Sequence, residues 1–195
     1  MARTVNPAHH ERRRSIILGA AYRRFAQAGF DRTSTASICR AAGISSGTFF
    51  HYFPTKIDVL VAILMADAAT GSERLARISS TKQGLSAVLD YAAELEAEMA
   101  DEHFAGFVAA VVGAMHLPEV ATAVRADSAG TSRFIHDRLG EAALRKEIRT
   151  DVSVESLATW VGWLLDGSSQ GAAGGMTTAP GGLVSAVSAL CAARP

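Results

Sequence analysis

Residues 33–56 contain the side chains whose types and spacing could carry specific chemistry. Hydroxyl residues stand where two short helices could begin, at Thr33 or Ser34 and again at Ser45, and Gly43 lies between them. Such hydroxyls cap helix N-termini, and glycine permits a tight turn between helices. The pattern predicts a helix-turn-helix, whose second helix presents its first residues to base edges in the major groove of DNA. Apolar side chains that would lock the two helices together are Ile38, Ala42, Ile44, Phe49 and Phe53.

A second group of candidate residues is acidic and raises the alternative of an enzyme built on a helical bundle. It comprises Glu94, Glu96, Glu98, Asp101, Glu102 and His103. Carboxylates act together as general acid and base only where the fold collects them at one place. The spacing spreads these residues around a helix, which favours a solvated surface. We therefore predict no catalytic residue and do not expect an enzyme.

Cysteine and histidine are too sparse in this sequence to indicate a metal centre. The two cysteines, Cys39 and Cys191, provide neither a disulfide framework nor a metal-ligand spacing, and His9 and His10 have no partner at such a spacing. We expect no metal and no cofactor. Cys39 is interpreted as a small buried packing residue, and a redox-sensing role beside Arg40 is the alternative.

Charge is distributed unevenly along a chain whose formal net charge is zero. Residues 1–60 carry nine basic and three acidic side chains, so their net charge is +6 and that of the remainder is −6. A basic segment of this kind suits a polyanionic partner. Within it, the run Arg12–Arg14 is either an arm that contacts phosphate or the minor groove, or a solvated charge cluster.

Hydropathy predicts a globular chain without a membrane span. Hydrophobic residues make up 49% of the sequence, which is too many for a disordered protein and enough for a core. The longest apolar run, 104–115, has about 12 residues, short of the roughly 18 that a membrane helix needs. Because the N-terminal residues contain no apolar stretch typical of a secretory signal, we expect a cytoplasmic protein.

Helical periodicity dominates the sequence. Apolar residues recur at helical spacing in four stretches, 17–28, 57–68, 120–142 and 154–165, with Gly29 as a C-cap and Pro54 and Pro118 as boundaries. Alternation typical of strands is nearly absent. The predicted fold is all-α, with about nine helices.

The helix expected around Trp160 and Trp163 is apolar or small on every face. Such a helix is buried all round, which in a chain of this size indicates packing against its own domain on one side and a partner on the other. Gly162, Gly167 and Gly171 would permit close approach. The alternative is the central helix of a monomeric bundle.

From Ile17 to Leu60 the sequence resembles the DNA-binding domain of the tetracycline-repressor (TetR) family of bacterial transcriptional regulators. The resemblance implies a helix-turn-helix DNA-binding domain in residues 1–55 and an effector-binding and dimerisation domain in residues 56–195. The matching positions are Ala20, Ala21, Phe25, Gly29, Phe30, Thr33, Ser34, Ile38, Ala42, Gly43, Ile44, Ser45, Gly47, Thr48, Phe49, Phe53 and Lys56.

The resemblance also implies the contacts with DNA. Phosphate contacts would come from Thr33 and the start of its helix, from Tyr52 and from Lys56, because hydroxyls, helix amides and ammonium groups bind phosphate. Thr48 offers a hydroxyl to a base edge and a methyl group to thymine. Phe50 replaces a tyrosine common in the family and would contact sugar without bonding phosphate. The full expected DNA-binding set is Thr33, Ser34, Ser45, Ser46, Gly47, Thr48, Phe50, His51, Tyr52 and Lys56.

The expected mechanism is allosteric. A homodimer through the C-terminal helices would read a pseudo-palindromic operator in double-stranded DNA, and a small, largely apolar effector would release it. The helix that begins at Lys56 would connect the two activities. The alternative is a helix-turn-helix regulator without a small-molecule effector, constitutive or dependent on a protein partner. Candidate pocket residues are Met99, His103, Phe104, Phe107, Val111, Phe134, Trp160 and Trp163.

Overall fold

The structure is a computed structural model that describes residues 7–176 and 179–192. Every regular element in these ranges is an α-helix, which confirms the predicted all-α fold. The nine helices are α1 (Pro7–Ala28), α2 (Thr35–Ala42), α3 (Ser46–Tyr52), α4 (Lys56–Thr81), α5 (Gly84–Met99), α6 (Phe104–Gly113), α7 (Pro118–Leu144), α8 (Val154–Ala173) and α9 (Gly182–Cys191).

The chain forms two compact units. The first comprises the described residues up to Asp67 together with Gly106–Ala123, and the second comprises Ala68–Ala105 and the described residues from Val124 onward. The boundary between the first unit and the second at Asp67 and Ala68 lies inside α4, since this helix runs without a break from Lys56 to Thr81. A boundary after residue 55, where we expected the functions to divide, thus does not coincide with the packing units, and the division of function stays a prediction.

The core of the first unit is built from the apolar faces of α1–α4. Ile17, Phe25, Ile38, Phe49 and Leu60 are completely buried, and the predicted apolar stripe of residues 17–28 is confirmed. Helix α1 ends as expected, since Gly29 has φ +78° and its N–H donates to the Phe25 carbonyl at 2.8 Å.

The beginning of α6 packs closely against α1 in the same unit. The rings of Tyr22 and Phe107 lie 4.5 Å apart between centroids. A Cβ atom at Gly106 would overlap the carbonyl oxygen of Ala26. The two backbones therefore approach to a distance that only glycine permits at this position.

The buried face of α4 in the first unit differs from the predicted one. Val59, Leu60, Ala62 and Ile63 are buried, whereas Met65, which we assigned to the stripe, is 65% exposed. The run 59–64 is apolar on every side of the helix, so residue spacing alone does not select the face that packs.

The core of the second unit lies between α5, α7, α8, α9 and the end of α4. The buried faces of α7 and α8 follow the predicted stripes, and Ser153 caps α8 by accepting from the Ser156 N–H at 3.2 Å. The buried residues are Ile78, Ala87, Val88, Ala92, Phe134, Ile135, Leu139, Ala142, Ile148, Leu157, Val161, Leu165, Leu183, Val187 and Cys191.

No single helix in the described ranges is long and apolar enough to cross a membrane. Only α3 and α4 taken together meet the length and hydropathy of a span, and they are bent by 54° at the break between them.

Candidate nucleic-acid interface and ligand cavity

Helices α2 and α3 form the predicted helix-turn-helix. Ser34 caps α2 by accepting from the Ser37 N–H at 3.2 Å, and Ser45 caps α3 by accepting from the Thr48 N–H at 3.1 Å. Between them Gly43 adopts φ +65°, in the left-handed region that favours glycine. The hydroxyl caps and the glycine turn that we expected from the sequence are confirmed at these positions.

Helix α3 has one face in the core and one face in solvent. Phe49 is completely buried and Phe53 is 4% exposed, so these rings anchor the helix and the residue that follows it. Ser46, Gly47 and His51 are exposed. A Cβ atom at Gly47 would find only the Ser45 hydroxyl within 4 Å. The outer side of α3 is therefore open and carries hydroxyl, backbone and imidazole groups.

Thr48 and Phe50 differ in how far their side chains are exposed on this surface. Thr48 is half-buried, and its hydroxyl oxygen lies 2.9 Å from that of Ser45. The hydroxyl–hydroxyl contact restricts the orientation of the Thr48 side chain and leaves hydrogen-bonding capacity for further partners. Phe50 is 51% exposed, as a side chain that contacts sugar would be.

His10 belongs to the same surface, although nothing in the sequence pointed to it beyond its place at the start of α1. Its ring stacks on that of Tyr52 with centroids 4.5 Å apart and an interplanar angle of 29°. The ring of His51 meets Tyr52 edge-on at 5.4 Å. The stack ties the first turns of α1 to the end of α3.

Thr33 does not lie on this surface, which corrects the phosphate contact that we expected from its side chain. It is 1% exposed, and its hydroxyl hydrogen-bonds to the carbonyl oxygens of Gly29 at 2.7 Å and Arg24 at 3.0 Å. A hydroxyl so placed closes the turn after α1 and has no access to DNA. Ser34, the next residue, is exposed.

Lys56 holds the start of α4 against the turn after α1. Its ammonium donates to the carbonyl oxygen of Phe30 at 2.7 Å, and Nζ lies 4.1 Å from the centroid of the Phe30 ring. Burial lowers the pKa of Lys56 from its ordinary value, and the Asp31 carboxylate partly opposes that change. A phosphate contact from Lys56 stays a prediction that would use its remaining donor capacity.

Other residues singled out in this unit have ordinary environments. Cys39 is 5% exposed within the core, as a packing residue would be. Arg12 and Arg13 are exposed, whereas the Arg14 guanidinium lies 5.7 Å from the centroid of the Phe53 ring.

Within residues 7–176 and 179–192, no group of three histidine, cysteine or acidic side chains is placed to hold a metal ion.

Comparison with known proteins identifies the family. Residues 17–63 match the family model described as bacterial regulatory proteins, tetR family. The HTH-type transcriptional regulator UidR of Escherichia coli K12 is 30% identical over 143 residues, which cover 72% of this chain and 71% of that protein. This chain belongs to the TetR family. It is a transcriptional regulator of that family, with an N-terminal helix-turn-helix and a helical remainder.

Two further TetR-family comparisons extend beyond the helix-turn-helix. The HTH-type transcriptional repressor Rv1474c of Mycobacterium tuberculosis is 27% identical over 166 residues, covering 84% of this chain and 83% of that protein. The crystal structure of a TetR-family regulator from Agrobacterium tumefaciens superposes on this chain with a TM-score of 0.81 at 18% sequence identity. The alignment covers 93% of this chain and 98% of that one. The similarity of fold therefore includes the helices after α4.

The second unit of this TetR-family chain contains an open cavity of about 920 Å³ between α5, α8, the segment after α8, and α9. Small and apolar residues form most of its wall, and Glu96 is the one ionisable residue among the described residues that line it. The lining residues are Ala93, Glu96, Ala97, Met99, Ala100, Trp163, Leu164, Gly167, Ser168, Gly171, Ala172, Met176, Pro180, Gly181 and Val184.

Only Met99 and Trp163 of the eight predicted pocket residues line this cavity. Phe134 is buried in the core of the second unit, and Trp160 packs against that core. Phe107 packs on Tyr22 in the first unit, to which Val111 also belongs. His103 and Phe104, at the start of α6, lie outside the cavity wall. Apolar type and helical spacing are the same for core and cavity residues, so the sequence could not separate them.

Small residues at helical spacing could have indicated the cavity, but we did not use them in predicting the pocket residues. Ala93 and Ala97 on α5 and Ala100 directly after it recur at helical spacing, and Gly167 and Gly171 do so on α8. We interpreted the glycines as points of close helix approach. Within the single chain, open space lies beside Gly167, where a Cβ atom would meet nothing within 4 Å, and close approach by a partner stays a prediction.

Glu94 and Glu98 of α5 form surface ion pairs. Glu94 accepts two hydrogen bonds from Arg77, at 2.6 and 2.9 Å, and Glu98 lies 2.8 Å from Arg74. The carboxylates are thus distributed around the helix, as the spacing predicted, and are not collected at one place.

The alternative of a central helix in a monomeric bundle is wrong for α8. Trp163 is 68% exposed, so the helix is not covered on all sides by its own chain. An apolar indole left in solvent is consistent with the predicted partner, which stays a prediction.

Proposed function

We propose that this TetR-family regulator is a cytoplasmic repressor that binds a pseudo-palindromic operator as a homodimer and leaves it when a small, largely apolar effector binds. The observation that carries the proposal is the surface of α3. Its first turn exposes Ser46 and Gly47, its last turn exposes His51, and no carboxylate interrupts the helix. A helix of this kind can enter the major groove and hydrogen-bond to base edges without repelling phosphate.

Three groups around α3 are proposed to hold it in register on the DNA. Exposed hydroxyls at Ser34 and Ser45 stand at helix N-termini, where backbone N–H groups also favour a phosphate. Tyr52 is held by its stack on His10. Such contacts orient a protein on the duplex and carry no sequence information, which is left to Ser46, Gly47, Thr48 and His51.

Dimerisation is proposed through the C-terminal helices, because α9 has an exposed face of small residues outside the cavity wall. Ala186 and Ala189 are exposed on successive turns of α9. Two copies joined by a two-fold axis would place their recognition helices about one turn of DNA apart, roughly 34–36 Å.

Release by an effector is supported by the cavity of about 920 Å³, a size within the range of small-molecule sites. A ligand acts as a switch only if it binds the two states with different affinity, and nearly complete release needs a difference of about 10⁴-fold. Helix α4, which continues from one unit into the other as α6 and α7 also do, is proposed to carry such a change to the DNA-binding unit.

The test begins with selection of duplexes from a random pool, followed by titration of the selected operator at several salt concentrations. We expect enrichment of a two-fold symmetric sequence.

Lys56→Ala should weaken binding to all duplexes alike and reduce the slope of log K against log salt by about 1. The matched control is Lys82→Ala, since Lys82 is exposed in the second unit and pairs with Asp90.

Two results would contradict the proposal. Absence of any enriched sequence would remove sequence-specific binding, and an unchanged salt slope for Lys56→Ala would remove its phosphate contact. A regulator that binds its operator but is released by no small molecule would match the alternative of a constitutive or protein-partnered factor.

A further inference from the structure

The wall of the cavity in the second unit has an unusual charge balance. Its apolar surface comes from alanine, methionine, leucine, valine and proline side chains and from the Trp163 indole. The hydroxyl of Ser168 is already used, since it donates to the Leu164 carbonyl at 2.7 Å. Glu96 supplies one negative charge, and no lysine, arginine or histidine of residues 7–176 and 179–192 is among the lining residues.

Among the described residues, Glu96 has no cationic partner, whereas the acidic residues two positions before and after it do. Glu94 and Glu98, which helical spacing places on the opposite side of α5, pair with Arg77 and Arg74. Glu96 takes part in no ion pair within the described ranges, and its Oε1 accepts one hydrogen bond, from the Gly182 N–H at the start of α9, at 3.1 Å. This bond fixes the carboxylate in the cavity wall and leaves its charge available to a ligand.

Aromatic and sulfur-containing side chains accompany this carboxylate. Trp163 is 68% exposed and Met176 is 70% exposed, so both offer surface to a molecule in the cavity. Indole faces attract organic cations, and methionine adapts its shape to apolar groups. An anionic ligand would face Glu96 without a counter-charge, and a neutral apolar ligand would leave the carboxylate poorly solvated.

We propose that this cavity binds an apolar organic monocation, whose charged group lies between the Glu96 carboxylate and the Trp163 indole and whose apolar part contacts the alanine and glycine surfaces of α5 and α8. The assignment rests on the proposed function in one respect, because it names the chemical class of the effector that would release the operator. Binding itself requires neither DNA nor a regulatory role.

The test uses two ions of the same size and shape but opposite charge, tetraphenylphosphonium and tetraphenylborate, titrated calorimetrically into the full chain. We expect the phosphonium to bind about tenfold more tightly than the borate or better. Glu96→Gln keeps an acceptor for the Gly182 N–H and removes the charge, so it should reduce phosphonium affinity by about tenfold without weakening the borate. Glu98→Gln is the matched control and should bind both ions as the unchanged chain does.

A second variant tests whether the ligand occupies the cavity, independently of the charge of Glu96. Gly167→Leu places a side chain in the cavity, where a Cβ atom meets no neighbour, so it should abolish phosphonium binding without loss of thermal stability. The control is Gly130→Leu on the exposed part of α7, which should bind normally. Equal affinity for the two ions, or wild-type phosphonium binding by Glu96→Gln or Gly167→Leu, would overturn the assignment.

Operator release is measured separately. Phosphonium that binds through Glu96 but leaves the operator complex intact would contradict the effector role and retain the cavity assignment. Release by a neutral or anionic compound whose affinity is unchanged in Glu96→Gln would overturn the cation assignment and leave the proposed function in place.

Discussion

Thr33 and Thr48 carry the same hydroxyl group in opposite environments. Thr33 is buried and bonded to two backbone carbonyls, whereas Thr48 lies in the first turn of α3, with its hydroxyl next to that of Ser45. A buried hydroxyl that satisfies carbonyl groups stabilises the fold, and a partly exposed one at the start of a recognition helix is available to a ligand. Under the proposed function, Thr33 therefore serves stability and Thr48 serves DNA recognition.

Thr48→Ala should change which operator sequences are preferred as well as the affinity. Loss of the hydroxyl and methyl group should alter discrimination at one base position by about 1–3 kcal/mol. The measurement is a repeat of the duplex selection with the variant. Thr33→Val is the control. It should lower the free energy of unfolding by about 1–2 kcal/mol and leave the sequence preference unchanged. An identical preference profile for Thr48→Ala would remove Thr48 from the base-reading residues.

Packing between elements is most sensitive where α6 meets α1. Gly106→Ala puts a methyl group into the carbonyl oxygen of Ala26, so the helices must separate, and we expect a loss of about 1–3 kcal/mol in the free energy of unfolding. Gly113→Ala, in the same helix, meets nothing within 4 Å and should be neutral or slightly stabilising. Urea unfolding of both variants compares them, and equal stabilities would show that the contact carries no constraint.

Helix α9 is anchored by Cys191, whose thiol is completely buried. Burial raises the pKa of this thiol from 9.0 to about 11, and Arg149 opposes the change. Because the unfolded chain loses this proton first, the free energy of unfolding should fall as pH rises from 9 to 11. The contribution of Cys191 is at most about 1.4 kcal/mol per pH unit.

Denaturant unfolding at pH 8, 9 and 10 measures this effect. Cys191→Ala should be less stable than the unchanged chain at pH 8, because it leaves a small cavity, and the difference should narrow as pH increases. Cys39→Ala removes the other thiol and serves as the comparison. Parallel stability curves for Cys191→Ala and the unchanged chain would exclude the thiol as the source of the slope.

At the scale of the whole molecule, the proposed repressor depends on two copies acting together on one operator. Ala189→Arg adds a charged side chain to the exposed face of α9 and should lower the mass in solution from twice to once 20.4 kDa, with a matching loss of operator affinity. Light scattering and DNA titration check both expectations. Ala129→Arg, on the exposed part of α7, is the control and should remain dimeric.

The geometry of the operator provides an independent check on the same arrangement. Insertion of five base pairs between the half-sites rotates one of them by about half a helical turn, so a dimer can no longer place both recognition helices in the major groove on one face. We expect the affinity to fall to that of a single half-site. Unchanged affinity for the lengthened operator would show that the copies bind independently.

The sequence by itself determined the features that depend on neighbours within one or two helical turns. The all-α fold, the Ser34 and Ser45 caps and the turns at Gly29 and Gly43 all follow from local spacing, and all are found in the structure. Local signals succeed there because capping and glycine turns are formed by residues at most four apart.

Tertiary structure decided which equivalent side chains are buried and which are available. Lys56 reaches a carbonyl 26 residues away, Thr33 turns inward, and the cavity joins Glu96 to Trp163 from distant helices. Helical spacing is the same for a residue in the core, on the DNA surface or in the cavity wall. Only the arrangement of the other helices, which brings distant parts of the chain into contact, separates these three environments.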